Sequence, residues 1–301
     1  MDESGSFVAI SGGEDALTDR STRLDLGWRL LAFVILAAMV VLGVLSLAPS
    51  GVIWTSAALL LGATVSGWIL LAGDGRKPSA LGFHLSWEAG PEMGKGLGLG
   101  VLIGLVVIVG IAAVGGLRWV SEGGSLTSWV IAGFGALVFL VVPAAAEEAL
   151  LRGYPFQALS EMWGAGKGLI VTSGVFGLLH VWNPGATLLA TLNVAAAGLL
   201  LGVVFLRTGS LWWTTGVHVG WNFAHGYLAD VPVSGLEVMD SPLYEGVPVG
   251  PEWLGGGAFG PEGSVMATVV VLSAAAAGWW GPWLRPGKAA LTASPLVLVQ
   301  R

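Results

Sequence analysis

The chain has 301 residues and a formal net charge of −6; 54% of its residues are hydrophobic and only 11% are charged. Its mean hydropathy of +0.80 excludes an ordinary soluble domain and indicates a multi-span membrane protein. The absence of Cys excludes disulfides, thiolate metal sites and cysteine nucleophiles.

Apolar stretches recur along the whole chain, and a bilayer requires about 20 residues for each helical span. They predict an all-α fold, a polytopic membrane helix bundle of about eight transmembrane helices. The fifth stretch is the shortest of the set. The predicted spans are 30–49, 51–72, 96–117, 127–151, 168–182, 185–206, 210–228 and 264–284.

The positions of Lys and Arg predict the orientation, because cytoplasmic loops carry an excess of positive charge. Only Arg118 falls on the side that the alternation of spans assigns to the exterior, where segment 229–263 has six acidic residues and no Lys or Arg. Both termini are therefore predicted to be cytoplasmic. The residues on the cytoplasmic side are Arg20, Arg23, Arg29, Arg76, Lys77, Lys95, Arg152, Lys167, Arg207, Arg285, Lys288 and Arg301.

Three regions follow from this pattern. Residues 1–27 are predicted to be a disordered cytosolic tail without a cleaved signal peptide. Residues 28–285 form the membrane domain, and residues 286–301 form a cytosolic C-terminal tail. Segment 229–263 has five prolines and eight glycines, so we expect an irregular loop, and a solvated connector is favoured over a lid.

Two adjacent acids near the end of the fourth span carry the functional prediction. Ionisable side chains at membrane depth are costly and usually pair with one another or line a functional cavity. On a helix Glu148 and Arg152 are four residues apart, so they should form an ion pair. Glu147 is rotated by about 100° from Glu148, which leaves it as the free, functional carboxylate.

Plausible partners lie on later spans. His180 comes four residues after Phe176 at the end of the fifth span, and His218 shares a helix face with Asn222. His225 lies on roughly that face as well. Depths counted along the helices place the predicted site in the cytoplasmic half of the membrane.

Two carboxylates, two imidazoles and an amide suit the activation of water for attack on a carbonyl. In one version Glu147, His180 and His218 bind Zn²⁺, which acidifies a bound water. In the other, metal-free version Glu147 with His180 is the general base, while His218 and Asn222 stabilise the oxyanion. The sequence contains no Gly-x-Ser-x-Gly elbow and no His-Glu-x-x-His helix, which disfavours serine catalysis and excludes the common zinc-protease helix.

Three motifs occur in order on successive spans: Glu147-Glu148-x-x-x-Arg152-Gly153, Phe176-x-x-x-His180 and His218-x-x-x-Asn222. Together they resemble the motifs of the CPBP family, which comprises CAAX prenyl endopeptidases and bacteriocin-processing or immunity proteins. The resemblance covers residues 80–228. It implies an intramembrane endopeptidase with Glu147 and His180 at the water-activating centre, supported by Glu148 and Arg152, and with His218 and Asn222 as ligand or oxyanion partners. Both metalloprotease and glutamate-protease chemistry are described for such proteins, so Zn²⁺ stays an open alternative.

The expected function is therefore hydrolysis of a peptide bond in a membrane-associated protein or peptide, of which a prenylated CAAX tail is one candidate. Two alternatives are a catalytically silent membrane scaffold or immunity protein, and a small-molecule or proton carrier. The expected location is the cell membrane, with several spans. The expected partners are the lipid bilayer and a membrane-tethered substrate, and no nucleic acid.

Overall fold

The computed structural model describes residues 20–293 and residue 295, with described side chains beginning at Asp25. The fold is helical apart from one pair of short strands. In chain order the elements are α1 (Arg20–Leu45), α2 (Val52–Gly73), α3 (Ala89–Ala113), β1 (Leu117–Ser121), α4 (Leu126–Leu151), α5 (Tyr154–Trp163), α6 (Ala165–Leu179), α7 (Leu188–Thr208), α8 (Leu211–Phe223), β2 (Tyr244–Pro248), α9 (Glu252–Gly255), α10 (Val265–Trp280) and α11 (Lys288–Ala293).

The helices have the length and composition of a multi-pass integral membrane protein, which confirms the all-α membrane bundle. Among the described residues, five stretches are long and apolar enough to cross a bilayer, and α6 and α10 are shorter apolar helices. Each of the predicted apolar stretches contains a helix, while the number of eight spans and the side of the termini stay predictions. The five stretches are Asp25–Leu45, Val52–Gly73, Ala89–Ala113, Leu126–Trp163 and Leu188–Thr208.

Both predicted tails contain helical residues where the structure describes them. Helix α1 begins at Arg20, inside the predicted tail 1–27, and α11 lies inside the predicted tail 286–301. Residues 1–19, together with 294 and 296–301, lie outside the described part, so the predicted disorder of the N-terminal tail is not addressed there.

Helix α4 ends at Leu151, as the fourth predicted span does, and a break at Gly153 separates it from α5. The amides of Arg152 and Gly153 both donate to the Glu148 carbonyl, at 2.8 and 3.1 Å. A Cβ on Gly153 would overlap the carbonyl oxygen of Ala149, so this sharp junction requires glycine. Proline in the first turn then starts α5 without losing a helical hydrogen bond.

Glycines bring α3 and α8 into backbone contact along their length. A Cβ on Gly100 would overlap the carbonyl oxygen of Val217, and a Cβ on Gly220 would overlap that of Leu97. Gly104 faces Ala224 further along the same seam. The contacts advance in step on both helices, so α3 and α8 run parallel, and the small glycine residues allow their backbones to approach closely.

Segment 229–263, called the acidic segment below, is more ordered than the predicted irregular loop. Its strand β2 pairs antiparallel with β1, with Leu117 opposite Pro248, and the indole of Trp119 donates to the Ala229 carbonyl at 3.0 Å. A second bridge joins Val233 to Leu236. These pairings fix the acidic segment against the loop that follows α3.

The two ends of the bundle therefore differ in charge. We call the end that holds the start of α3, the start of α6 and the end of α7 the basic end, because Lys77, Lys95, Lys167 and Arg207 lie there. The opposite end, with the sheet and the acidic segment, is called the acidic end.

Candidate active site

Glu148 and Arg152 form a fully buried ion pair that also holds His218. Oε1 of Glu148 accepts from Nη1 of Arg152 at 3.2 Å and from Nδ1 of His218 at 2.9 Å. Arg152 has 0% of its side chain exposed, and its Nη2 donates to the Gly198 carbonyl at 3.0 Å. The predicted pair is therefore present, and its carboxylate reaches a third helix to orient the imidazole of His218.

Phe176 is the common contact of the three motifs. Its ring lies 4.6 Å from the Arg152 guanidinium carbon, a distance at which a cation and a ring attract each other. The same ring packs edge-on against the imidazoles of His180 and His218, with centroid distances of 4.8 and 6.0 Å. Glycine at position 198 leaves room for the side chains of Arg152 and Phe176, because a Cβ there would lie 3.2 Å from Nη2 of Arg152 and 3.1 Å from the Phe176 ring.

Glu147 points away from this buried pair, as the helical rotation predicts. Its side chain is 35% exposed, and its Oε2 lies 3.7 Å from Nε2 of His218, which is beyond a direct hydrogen bond. Oε2 is itself buried and has no hydrogen-bond partner among the described residues. Oε2 of Glu148 is likewise buried without a hydrogen-bond partner among the described residues, so the two carboxylates differ in exposure: Glu147 lines the cavity, and Glu148 is fully buried.

His180 stands at the end of α6 with its tautomer set by the backbone. Nδ1 lies 2.8 Å from the Phe176 carbonyl oxygen, and because a carbonyl only accepts, Nδ1 must carry the proton. In the neutral ring, Nε2 is then the acceptor. His180 is half-buried and lines the same cavity as Glu147.

A cavity of about 430 Å³ joins the predicted residues. Glu147, His180, His218 and Asn222 all line it, so the structure brings four of the six predicted site residues to one space, while Glu148 and Arg152 support it from behind. Most of the wall is apolar and includes Phe139, Leu140, Pro143, Val194, Leu200 and Val217. Such a wall suits an apolar peptide or lipid-like chain.

A group of four residues that were not predicted also lines the cavity, and hydrogen bonds connect its members. The Glu262 carboxylate accepts from the indole of Trp221 at 2.6 Å and from both the amide and the hydroxyl of Ser234 at 2.6 Å. Asn183 donates to the Ser234 carbonyl at 2.8 Å. In the sequence, Asn183 precedes Pro and Gly and reads as a turn, and Glu262 resembles the other acids of its segment, so only three-dimensional proximity distinguishes them.

His225 lies outside the cavity lining, although it was predicted on roughly the same face as His218. It is fully buried against Trp221, with a ring-centroid distance of 4.3 Å, and near Gly104 of α3. The helix changes to a π-helical turn over Ala224–Leu228. This turn alters the register, and His225 packs between helices.

The three predicted zinc ligands line the same cavity. Within the described part of the chain, no three His, Cys, Asp or Glu side chains are arranged to hold a metal ion, and this includes Glu147, His180 and His218. The single close approach is that between Glu147 and His218. No step of the mechanism below is therefore assigned to a metal.

Comparison with known proteins agrees with the motifs. Residues 128–224 match a family model described as type II CAAX prenyl endopeptidase Rce1-like, and this range contains all six predicted site residues. No curated protein and no solved structure matches the chain. Over residues 128–224 the chain thus has the sequence pattern of the Rce1-like type II CAAX prenyl endopeptidases, which confirms the resemblance to the CPBP family.

Proposed function

We propose that the protein is an intramembrane endopeptidase that hydrolyses a peptide bond of a membrane-associated protein or peptide with water activated by Glu147. The observation that carries the proposal is the carboxylate side chain of Glu147, which is 35% exposed and lines a cavity shared with His180 and His218. The family match supports the same kind of reaction.

Glu147 and His180 are assigned to the water. A water bound between them gives a proton to Glu147, and its oxygen attacks the carbonyl carbon of the scissile bond. Nε2 of His180 orients that water by accepting its second hydrogen. The proton held by Glu147 then passes to the leaving amine, as general acid–base catalysis requires.

His218 and Asn222 are assigned to the oxyanion of the tetrahedral intermediate. Donors fixed in advance around a developing negative charge are a major source of rate acceleration. Nδ1 of His218 donates to Glu148, which fixes the ring. In the imidazolium form, with both ring nitrogens protonated, Nε2 of His218 donates to the oxyanion. Glu148 and Arg152 are therefore positioning residues, which act through His218.

The test is a comparison of wild type with Glu147→Gln, purified in detergent and incubated with a library of membrane peptides, prenylated and unprenylated. Mass spectrometry should find fragments with wild type and a loss of at least 100-fold with the variant, because removal of a general base typically costs 10²–10⁴ in rate. Glu161→Gln, an exposed change on α5, is the matched control and should retain wild-type activity. Equal fragment yields from Glu147→Gln and wild type would contradict the assignment.

The same assay separates the two chemical versions. Stringent chelation followed by elemental analysis should leave the activity of wild type unchanged if Glu147 acts without a metal. Loss of activity that added Zn²⁺ restores would instead favour the zinc version with Glu147, His180 and His218. A scaffold, an immunity protein or a carrier would yield no fragments that depend on Glu147.

A further inference from the structure

We propose that the catalytic cavity is reached from the acidic end of the bundle, and that the substrates are membrane-associated peptides whose scissile bond is presented at the extracytoplasmic surface. This inference rests on the proposed endopeptidase function. It concerns the side of the membrane from which substrate arrives, which the assignment of Glu147 leaves open.

The route from Glu147 toward the basic end is closed by buried side chains. Glu148 and Arg152 come first, and both are fully buried. Beyond them a polar cluster closes the start of α3 and α8: Glu92 accepts from His84 at 2.9 Å and from Ser210 at 2.5 Å. The apolar side chains that pack on this floor, Leu81, Tyr154, Phe205 and Leu211, are all fully buried.

The cavity instead extends toward the acidic end. His180 is the last residue before the turn that carries Asn183, and Asn183 contacts Ser234 of the acidic segment. Leu236 and Val238 of the same segment also line the cavity, and Leu236 is 46% exposed. These residues form a rim, held by the hydrogen bonds of Ser234 to Glu262, between the catalytic residues and the solvent of the acidic end.

The cavity also reaches the side of the bundle, between α2 and α4. Val52, Ser56 and Leu59, from the beginning of α2, line the cavity opposite Phe139 of α4. The beginning of α2 lies at the acidic end, because α2 leads from there to Arg76 and Lys77. An apolar portion of a substrate can therefore enter from the membrane leaflet at that end while its polar portion stays at the rim.

The charges of the two ends indicate which end of the bundle faces the cytoplasm. The described Lys and Arg side chains outside the site lie at the basic end, with the exception of Arg118, and the acidic end has Glu122, Asp230, Glu237, Asp240, Glu245 and Glu252. Since cytoplasmic loops carry the excess of positive charge, the acidic end faces the exterior. A scissile bond on the cytosolic side could not reach Glu147, because the buried side chains at the basic end close that route.

Accessibility of single cysteines tests the direction of the opening, because the natural chain contains no Cys. Leu236→Cys places a thiol on the rim, and Lys77→Cys places one on an exposed site of the basic end. In intact cells a membrane-impermeant maleimide should label Leu236→Cys, whereas Lys77→Cys should require permeabilisation. Labelling of Leu236→Cys only after permeabilisation would overturn the proposal.

Blocking experiments connect the opening to catalysis. A bulky maleimide on Leu236→Cys should reduce detergent-solubilised activity at least tenfold, and the same reagent on Lys77→Cys should leave it unchanged. Unchanged activity of the labelled Leu236→Cys variant would show that the rim is not the route to Glu147, and would overturn the proposal.

Two single-span reporters then separate the failure of this inference from that of the proposed function. Both carry a cleavage sequence identified with the purified enzyme, one on the cytoplasmic side of its span and the other on the exterior side. In detergent, wild type should cut both and Glu147→Gln neither; the absence of this difference would contradict the endopeptidase function itself. In intact cells the exterior reporter should be cut at least tenfold faster, and preferential cutting of the cytoplasmic reporter would overturn the orientation alone.

Discussion

Two neighbouring glutamates have opposite environments, and this contrast defines their roles. Glu148 has 0% of its side chain exposed and is shared between Arg152 and His218, whereas Glu147 is 35% exposed and faces the cavity. The rotation of one residue along the helix is the physical cause. Glu148 binds Arg152 and His218 through Oε1 and so positions both side chains, whereas Glu147 lines the cavity and is available for chemistry.

Substitution by glutamine should separate these roles. Glu148→Gln leaves the buried charge of Arg152 without its counter-ion, and breaking a buried pair in this way costs about 3–5 kcal/mol. Glu147→Gln should change the free energy of unfolding by less than about 0.5 kcal/mol, because Glu147 is partly exposed and its approach to His218, at 3.7 Å, is longer than a direct hydrogen bond. Denaturation in detergent, followed by tryptophan fluorescence, measures both.

Arg152→Lys tests how much the shape of the guanidinium group contributes to the stability of the buried ion pair. Lysine keeps the charge but lacks the planar fork with which Arg152 bonds to both Glu148 and Gly198, so it should be intermediate in stability. Stability of Glu148→Gln equal to that of wild type would show that Arg152 does not depend on this carboxylate.

At the scale of single elements, the parallel seam between α3 and α8 positions the site. His218 and Asn222 lie on α8, and Gly220 lies between them against the backbone of α3. Because the helix backbones touch there, α3 supports the part of α8 that carries the two proposed oxyanion donors. The break at Gly153 separates α4 from α5, and Tyr154 at the beginning of α5 is fully buried.

Gly220→Ala should therefore damage both stability and activity. The added Cβ overlaps the Leu97 carbonyl oxygen and forces α3 and α8 apart, for which overpacking costs of about 1–3 kcal/mol are typical. Gly98→Ala is the matched control on α3, because a Cβ there meets nothing within 4 Å. Thermal unfolding should show a lower midpoint for Gly220→Ala alone, and an unchanged midpoint would contradict the seam.

At the scale of the whole molecule, the accumulation of negative charge at the acidic end affects Asp230. Burial, followed by repulsion from Asp240, Glu122 and Glu245, raises the pKa of Asp230 to about 6, although a hydrogen bond from the Ser241 amide opposes the rise. An unfolded aspartate titrates near 3.9. The acidic segment is therefore most stable below about pH 4 with respect to this group, and that contribution is lost as the pH rises through about 6.

Asp230→Asn should remove this dependence. Asparagine keeps the oxygen that accepts from Ser241 and tolerates the positive φ of 52° at this position. The variant should unfold at a higher temperature than wild type at pH 7 to 8, and the difference should vanish near pH 4. Glu237→Gln, an exposed change in the same segment, serves as the control; a constant difference between Asp230→Asn and wild type at all pH values would contradict the titration.

The sequence by itself determined the membrane character, the helices and the local relations within each helix. Apolar length predicts helices because a bilayer leaves the backbone no other partners, and the spacing of Glu148 and Arg152 predicts their ion pair because four residues complete about one turn. The same local geometry separates Glu147 from Glu148. Each of these relations depends on residues close together in the chain.

Only the tertiary structure decided which helices meet and where the cavity opens. The bond from Glu148 to His218 spans 70 residues, and that from Trp221 to Glu262 spans 41; no periodicity within one helix encodes such distances. The acidic segment, predicted as a connector, lines the cavity because its strand pairs with β1 and its turn at Ser234 bonds to Glu262. Long-range contacts of this kind follow from the packing of whole elements, to which every buried side chain contributes.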